Sequence, residues 1–275
     1  MPELEVEDIE LDLLLSALVR RYGYDFRNYA RASLKRRVAK AVEAEGLLTI
    51  SALQERVLHS PAAMERFISN LTVRLTSMFR DPEFFLTLRR EVLPMLRTFP
   101  IIRVWHAGCA SGEEAFSTAI LLIEEGLYSR SRIYATDMSG ALIGSANAGV
   151  VSLAHMKENT ANYHASGGVG DFSDYYVADD KHALFHSAVR KNLVFSQHNL
   201  ASDSAFNEFH LVLCRNVLIY FDGVLRERVH KLIYSSLAHL GVLGLGLQEA
   251  LVDTTVASRY RQLFKPELKL FQKIA

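Results

Sequence analysis

The stretch 104–114, reading Val-Trp-His-Ala-Gly-Cys-Ala-Ser-Gly-Glu-Glu, constrains the fold more than any other part of this chain. An apolar run passes into a turn of small residues. The turn opens a helix that carries Glu113 and Glu114 in its first turn. Small residues let the backbone reverse sharply and let a ligand approach it closely. A second apolar run ends at Asp137. Strand, helix and strand joined by short links predict a parallel sheet covered by helices. In such sheets the ligand crevice lies outside the carboxyl ends of the strands, where Ala107, Gly108 and Asp137 fall.

The alternation extends on both sides of the turn. Strands are expected over 101–107, 132–137, 193–196, 210–213 and 242–247, and helices over 112–125, 139–148 and 224–240. The segments 256–264 and 268–274 are expected to close the sheet as an antiparallel pair. Two short strand-like pieces, 174–177 and 183–187, flank Ala-Asp-Asp-Lys and predict a small hairpin; 150–170 reads as irregular or weakly helical. Upstream, residues 1–80 read as all-helical. Leu11, Leu14, Leu15 and Leu18 recur at helical spacing before Gly23, and a second helix is expected over 29–45. Asp81-Pro82 predicts a helix cap and first turn, with the helix running toward Arg97. The expected domains are therefore 1–80, helical, and 81–275, α/β, with the small β-subdomain near 171–190.

Composition narrows the function. The 275 residues are 49% hydrophobic and 23% charged with net charge zero, which gives no signature of a polyanion partner. Nucleic acid is not expected as a partner. The two cysteines, Cys109 and Cys214, lack metal-ligand spacing, so no metal is expected and a reduced cytoplasmic setting is. The most apolar runs are too short to span a bilayer, and the acidic start lacks the character of a signal peptide.

The turn itself discriminates among nucleotide cofactors. Neither G-x-G-x-x-G nor the lysine-bearing phosphate loop is present, and Glu113 and Glu114 would repel a pyrophosphate. Carboxylates suit a cationic, amine-bearing ligand, and S-adenosylmethionine matches with its sulfonium and α-ammonium. Asp137 can accept hydrogen bonds from a ribose diol, or simply cap the following helix. The block 213–221, Leu-Cys-Arg-Asn-Val-Leu-Ile-Tyr-Phe, ends a buried strand in Arg215 and Asn216. They face the same crevice, unless Arg215 forms a structural ion pair. Thr76 to Pro82 lies at the junction of the helical and α/β blocks, where clefts form.

Together these pieces resemble the chemotaxis-receptor methyltransferase family, the S-adenosylmethionine-dependent protein-glutamate O-methyltransferases. Leu75-Thr-Ser-Met-Phe-Arg-Asp-Pro82 is similar to its L-T-x-F-F-R-[DE] signature, and 107–114 to its cofactor loop ending in S-x-G-E-E. Ala135-Thr136-Asp137, His198-Asn199-Leu200 and Cys214 to Phe221 are similar to three further blocks, in family order. The resemblance covers nearly the whole chain. It implies a helical N-terminal domain and a Rossmann-like methyltransferase domain with a small inserted antiparallel β-subdomain. It implies that Thr76, Arg80, Ala107, Gly108, Glu113, Asp137, Asn199, Leu200, Arg215 and Asn216 line the S-adenosylmethionine pocket, with S-adenosylhomocysteine as product. Arg80 and Tyr220 would flank the point of methyl transfer to receptor glutamates. The basic helix bearing Arg31, Lys35, Arg36 and Arg37 would dock the acidic cytoplasmic helices of a methyl-accepting chemoreceptor, and the β-subdomain a receptor C-terminal tail. A monomer is expected. The chain departs from the family at Arg74, where Asn is usual, at Met78, and at Leu247-Gln248 within a segment that usually reads G-H-S-E. These departures leave a rival reading, a non-catalytic cofactor-binding module of a chemosensory-like pathway.

Overall fold

The computed structural model describes residues 5–71, 76–251 and 254–274. The N-terminal block contains α1 (Val6–Tyr22), α2 (Arg31–Ala44), α3 (Ile50–His59) and α4 (Pro61–Leu71). Each helix buries one apolar stripe: Leu11, Leu14, Leu15 and Leu18 of α1 meet Leu34, Val38 and Ala41 of α2, Leu53 and Val57 of α3, and Phe67 and Leu71 of α4. Gly23 ends α1 in the left-handed conformation, returning its N–H to the Val19 carbonyl. Thr49 caps α3 by accepting the Ala52 N–H. Arg74, at which the sequence departs from the family pattern it resembles, lies outside the described residues.

Next comes one helical run, α5 (Pro82–Thr87), a π turn (Leu88–Val92) and α6 (Leu93–Leu96). It reaches the length the sequence predicts, with one wide turn just before Pro94. Proline offers no N–H and its ring crowds the carbonyl four residues back, and the wider turn relieves both. Asp81 precedes this run but makes no side-chain cap; its carboxylate is committed to Arg215.

The α/β block contains β1 (Ile102–Ala107), α7 (Glu113–Glu124), β2 (Ser131–Asp137), α8 (Gly140–Ala148), β3 (Val150–Ser152), α9 (Met156–Ala165), β4 (Tyr176–Ala178), β5 (His182–Phe185) and α10 (Ser187–Arg190). It continues with β6 (Leu193–Gln197), β7 (Phe209–Cys214), α11 (Gly223–Ser236), β8 (Leu237–Leu245), β9 (Tyr260–Leu263) and β10 (Leu270–Lys273). The main sheet has the order β6-β2-β1-β7-β8-β10-β9. The first five strands run parallel, and β10 is antiparallel to β8 and β9. Apolar clusters cover both faces of the sheet, which is why 211–214 of β7 read as an unbroken apolar run. Because β1 has β2 on one side and β7 on the other, the strand order reverses between β1 and β7. A crevice is expected there, at the carboxyl ends.

Two expectations are corrected. The helix expected to reach residue 240 stops at Ser236, where the Ser236 hydroxyl turns back to the Leu232 carbonyl. Residues 237–240 instead start β8, with an irregularity in register opposite Phe209 and Leu240 in the left-handed conformation. The hairpin is larger than expected: β3 pairs with β5, so a three-stranded sheet of order β3-β5-β4 forms, and the supposedly irregular 150–170 supplies one strand and α9.

Candidate active site

Four loops meet at the carboxyl edge of β2, β1, β6 and β7. After β1 the chain turns through Gly108, Ala110 and Gly112, all at positive φ. Gly108 donates its N–H to the Thr136 carbonyl at 2.8 Å, folding the turn over β2. A Cβ on Gly108 would stand 2.6 Å from Val217 Cγ2, so only glycine leaves this wall open. Asp137 ties the turn to the next loop: its carboxylate accepts the Ala110 N–H and the Ser139 N–H, each at 3.0 Å. Burial pushes the Asp137 carboxyl up, against the pull of these backbone donors. The cap of α8 is Ser139 itself, which accepts the Leu142 N–H.

These loops border a cleft. Its walls include Gly108, Asp137, Asn199, Leu200, Asn216 and Tyr220, all expected from the sequence. It continues into an opening lined by Thr76, Arg80, Glu114, Arg215 and Ile219, sharing Gly108, Asn216 and Tyr220. Thr76 and Arg80, distant in sequence from the strand ends, are thus brought to them.

Four expected site residues sit differently. Ala107 is buried in the apolar cluster around Trp105 and lines neither the cleft nor the opening. The Glu113 carboxylate is turned back onto the Ser111 hydroxyl at 2.8–2.9 Å, and burial pushes its carboxyl up. Glu114 lines the opening instead. Arg215 is fully buried and its fork is occupied: it pairs with Glu114 at 2.7 Å and Asp81 at 2.6 Å, and its guanidinium lies 4.0 Å over the Phe84 ring. Burial opposes the Glu114 charge, but Arg215 and His106 outweigh it and hold the carboxyl at about 2. Arg215 is therefore a strut joining β7, α7 and the entry to α5. Arg37 is not on an outward face. It leaves α2 toward the cleft, donates to the Leu71 carbonyl and lies 4.2 Å over the Tyr220 ring.

The remaining cations of the expected docking helix divide. Arg31 pairs with Asp8 and Asp12, and Lys35 with Asp8, so α1 neutralises much of their charge. Arg36 is exposed and has no ion-pair partner among the described residues.

Arg80 and Tyr220 stand out by what they lack. Among the described residues neither the Arg80 guanidinium nor the Tyr220 hydroxyl has a hydrogen-bond or ion-pair partner, and both border the same opening. The walls not named as site residues from the sequence include Tyr29, Leu71, Met138, His198 and Val217. Tyr29 and Leu71 come from the helical block, and no local pattern announces their approach. Met138, His198 and Val217 adjoin residues that were expected, so the strand-end position was a usable signal for them.

The residues present fit S-adenosylmethionine. The cleft joins apolar walls (Leu200, Met138, Val217) to hydrogen-bonding side chains (Asp137, Asn199, Asn216) and continues past Gly108 to Glu114. No lysine or arginine stands in the turn 107–112 to hold a pyrophosphate.

Comparison with known proteins agrees. Residues 74–264 match the CheR methyltransferase, SAM binding domain, and residues 9–72 the CheR methyltransferase, all-alpha domain. Cher3 of Pseudomonas putida, whose name marks its methyltransferase activity as unproven, is 47% identical over 266 residues, 97% of each chain. A chemotaxis protein methyltransferase of Listeria monocytogenes is 29% identical over 90% of this chain and 93% of its own. Chemotaxis protein methyltransferase 1 of Pseudomonas aeruginosa is 29% identical over 78% of this chain and 80% of its own.

Proposed function

The chain belongs to the CheR methyltransferase family, and from that premise we propose that it methylates glutamate side chains on the cytoplasmic helices of a chemoreceptor. The products are a glutamate methyl ester and S-adenosylhomocysteine, and the process served is adaptation in chemosensory signalling. The observation that carries this reading is the pair of unpartnered groups, Arg80 and Tyr220, at one opening of a cleft suited to the cofactor. An arginine free of ion pairs beside a methyl donor suits an anionic acceptor.

Bound in the cleft, S-adenosylmethionine supplies a methyl group on a sulfonium, which leaves as a neutral thioether. The acceptor carboxylate has an ordinary pKa of about 4.3 and is already ionised at neutral pH. The chain therefore needs no general base; its tasks are alignment, water exclusion and charge placement. Arg80 holds one oxygen of the acceptor carboxylate through its fork of donors. Tyr220 donates its hydroxyl to orient the oxygen that attacks. Arg37 over the Tyr220 ring restricts the ring's swing. Glu114 keeps a negative charge at the opening, moderated by Arg215.

Arg36, with the partly neutralised Arg31 and Lys35, presents the basic surface for the acidic receptor helices. The β-subdomain offers the open edge of β4, and Val150, Leu184 and Val177 stand exposed in register across its three strands. A receptor C-terminal tail would add there as a further strand.

Mass spectrometry of a receptor cytoplasmic fragment incubated with the protein and S-adenosylmethionine tests the acceptor. Methyl groups are expected on glutamates only, and replacing those glutamates by glutamine abolishes the gain. Methylation of another residue type, or none on any receptor fragment while the cofactor binds, overturns the reading in favour of another acceptor or of the non-catalytic module.

A further inference from the structure

Glu249 lies just beyond the end of β8 and is 4% exposed. Its Oε1 accepts the N–H of Val217 at 2.8 Å and of Leu218 at 2.7 Å; its Oε2 accepts the N–H of Asn216 at 3.0 Å and of Gly246 at 2.6 Å. One carboxylate thus joins the ends of β7 and β8 and gathers three successive amides of the loop that leads to Tyr220. Two details show how closely the joint is built. Asn216 is held at φ 61, a region that residues other than glycine enter at a cost and keep only when their surroundings enforce it. A Cβ on Gly246 would stand 2.7 Å from Glu249 Oε2 and 2.8 Å from the Asn216 nitrogen. The effect reaches across the cleft, since the Val217 side chain fixed here is the one that Gly108 makes room for.

We propose that Glu249 is a positioning residue for methyl transfer: through its four backbone hydrogen bonds it sets Asn216 and Val217 against the cofactor and Tyr220 beside the acceptor. Glu249 itself touches neither. The inference rests on the cofactor reading and is independent of which acceptor is methylated.

Calorimetry with S-adenosylhomocysteine tests it. In Glu249→Gln the single remaining acceptor oxygen cannot serve both pairs of amides, and the amide NH₂ faces backbone donors. Affinity for S-adenosylhomocysteine is expected to fall about 10-fold or more in the folded variant. Glu249→Asp keeps both oxygens on a shorter stem and restores part of that loss. Glu124→Gln is the comparison. Glu124 is another poorly exposed carboxylate, bound to Arg89, Tyr163 and Tyr175 away from the cleft, so its loss lowers Tm and leaves the affinity unchanged. Wild-type affinity in folded Glu249→Gln overturns the proposal. So does an affinity loss that follows Tm equally in the Glu249 and Glu124 variants. Should Glu249→Gln not fold, Glu249→Asp decides: weakened affinity supports the proposal and wild-type affinity overturns it. Because no acceptor is present, failure here is separate from failure of the glutamate reading.

Discussion

Arg80 and Arg215 approach one another, since Arg215 donates to the Arg80 carbonyl, yet their side chains are in opposite situations. Arg215 is enclosed and paired with Glu114 and Asp81; Arg80 borders the cleft, and its guanidinium has no partner among the described residues. Their truncation should therefore separate stability from activity. Arg215→Met takes the guanidinium from the half-buried Asp81 and from Glu114, which keeps only His106, and should cost about 3 kcal/mol of unfolding free energy by urea titration; a variant as stable as the parent contradicts the strut assignment. Arg80→Ala should leave the urea midpoint nearly unchanged while lowering kcat about 100-fold. Equal losses of stability and activity would make Arg80 a second strut. The role of Arg215 was visible in the sequence only as one of two alternatives. A polar pair at the end of a buried strand must be satisfied, but whether by a ligand or by Glu114 depends on where α7 places its first turn. The same ambiguity hid the turn of Glu113 onto Ser111.

At the scale of elements, what could be read was local. The leucine spacing of α1 and the small-residue turn after β1 each express one short-range rule, and both are realised. The end of α11 was misread because residues 237–240 continue an apolar, helix-compatible pattern; what stops the helix is pairing of Leu237 with Phe209 on β7, a contact distant in sequence. α11 also carries a measurable pH effect. His230 is buried on it, and burial holds its imidazole down at about 4, against 6.5 in the unfolded chain. The neutral form is thus required by the fold. Its contribution is complete above pH 6.5 and declines as pH falls toward 4, because only the unfolded chain takes up the proton. His230→Leu should therefore lose less stability than the parent between pH 6.5 and 4, by up to about 3 kcal/mol. Parallel pH profiles of Tm for the two proteins would place His230 in solvent instead.

At the scale of the whole molecule, the helical block is part of the site as well as a neighbour to it. Ala30 donates its N–H to the Tyr220 carbonyl at 2.8 Å, Asp222 donates to Asn28 at 2.9 Å, and Tyr29, Arg37 and Leu71 wall the cleft. The helical block and the α/β block were each legible because helical periodicity gives way, along the chain, to strand–helix alternation. Their docking was not, since Arg37 reads as one more cation on a charged helix until Tyr220 is brought beneath it. The basic surface left outside is consequently smaller than the sequence suggests and centres on Arg36 and Lys40. Neither has an ion-pair partner among the described residues. Charge reversal at both should raise the KM for receptor, most at low salt, with S-adenosylhomocysteine affinity unchanged. A salt-independent KM would move the docking surface elsewhere.

The central claim is that this cleft transfers a methyl group from S-adenosylmethionine to a carboxylate. Its most direct test is transfer of tritiated methyl into receptor-containing membranes, followed by mild base. The account predicts label released as methanol with the intact protein and almost none with Arg80→Ala. Label that resists base, or equal release by the two proteins, contradicts it.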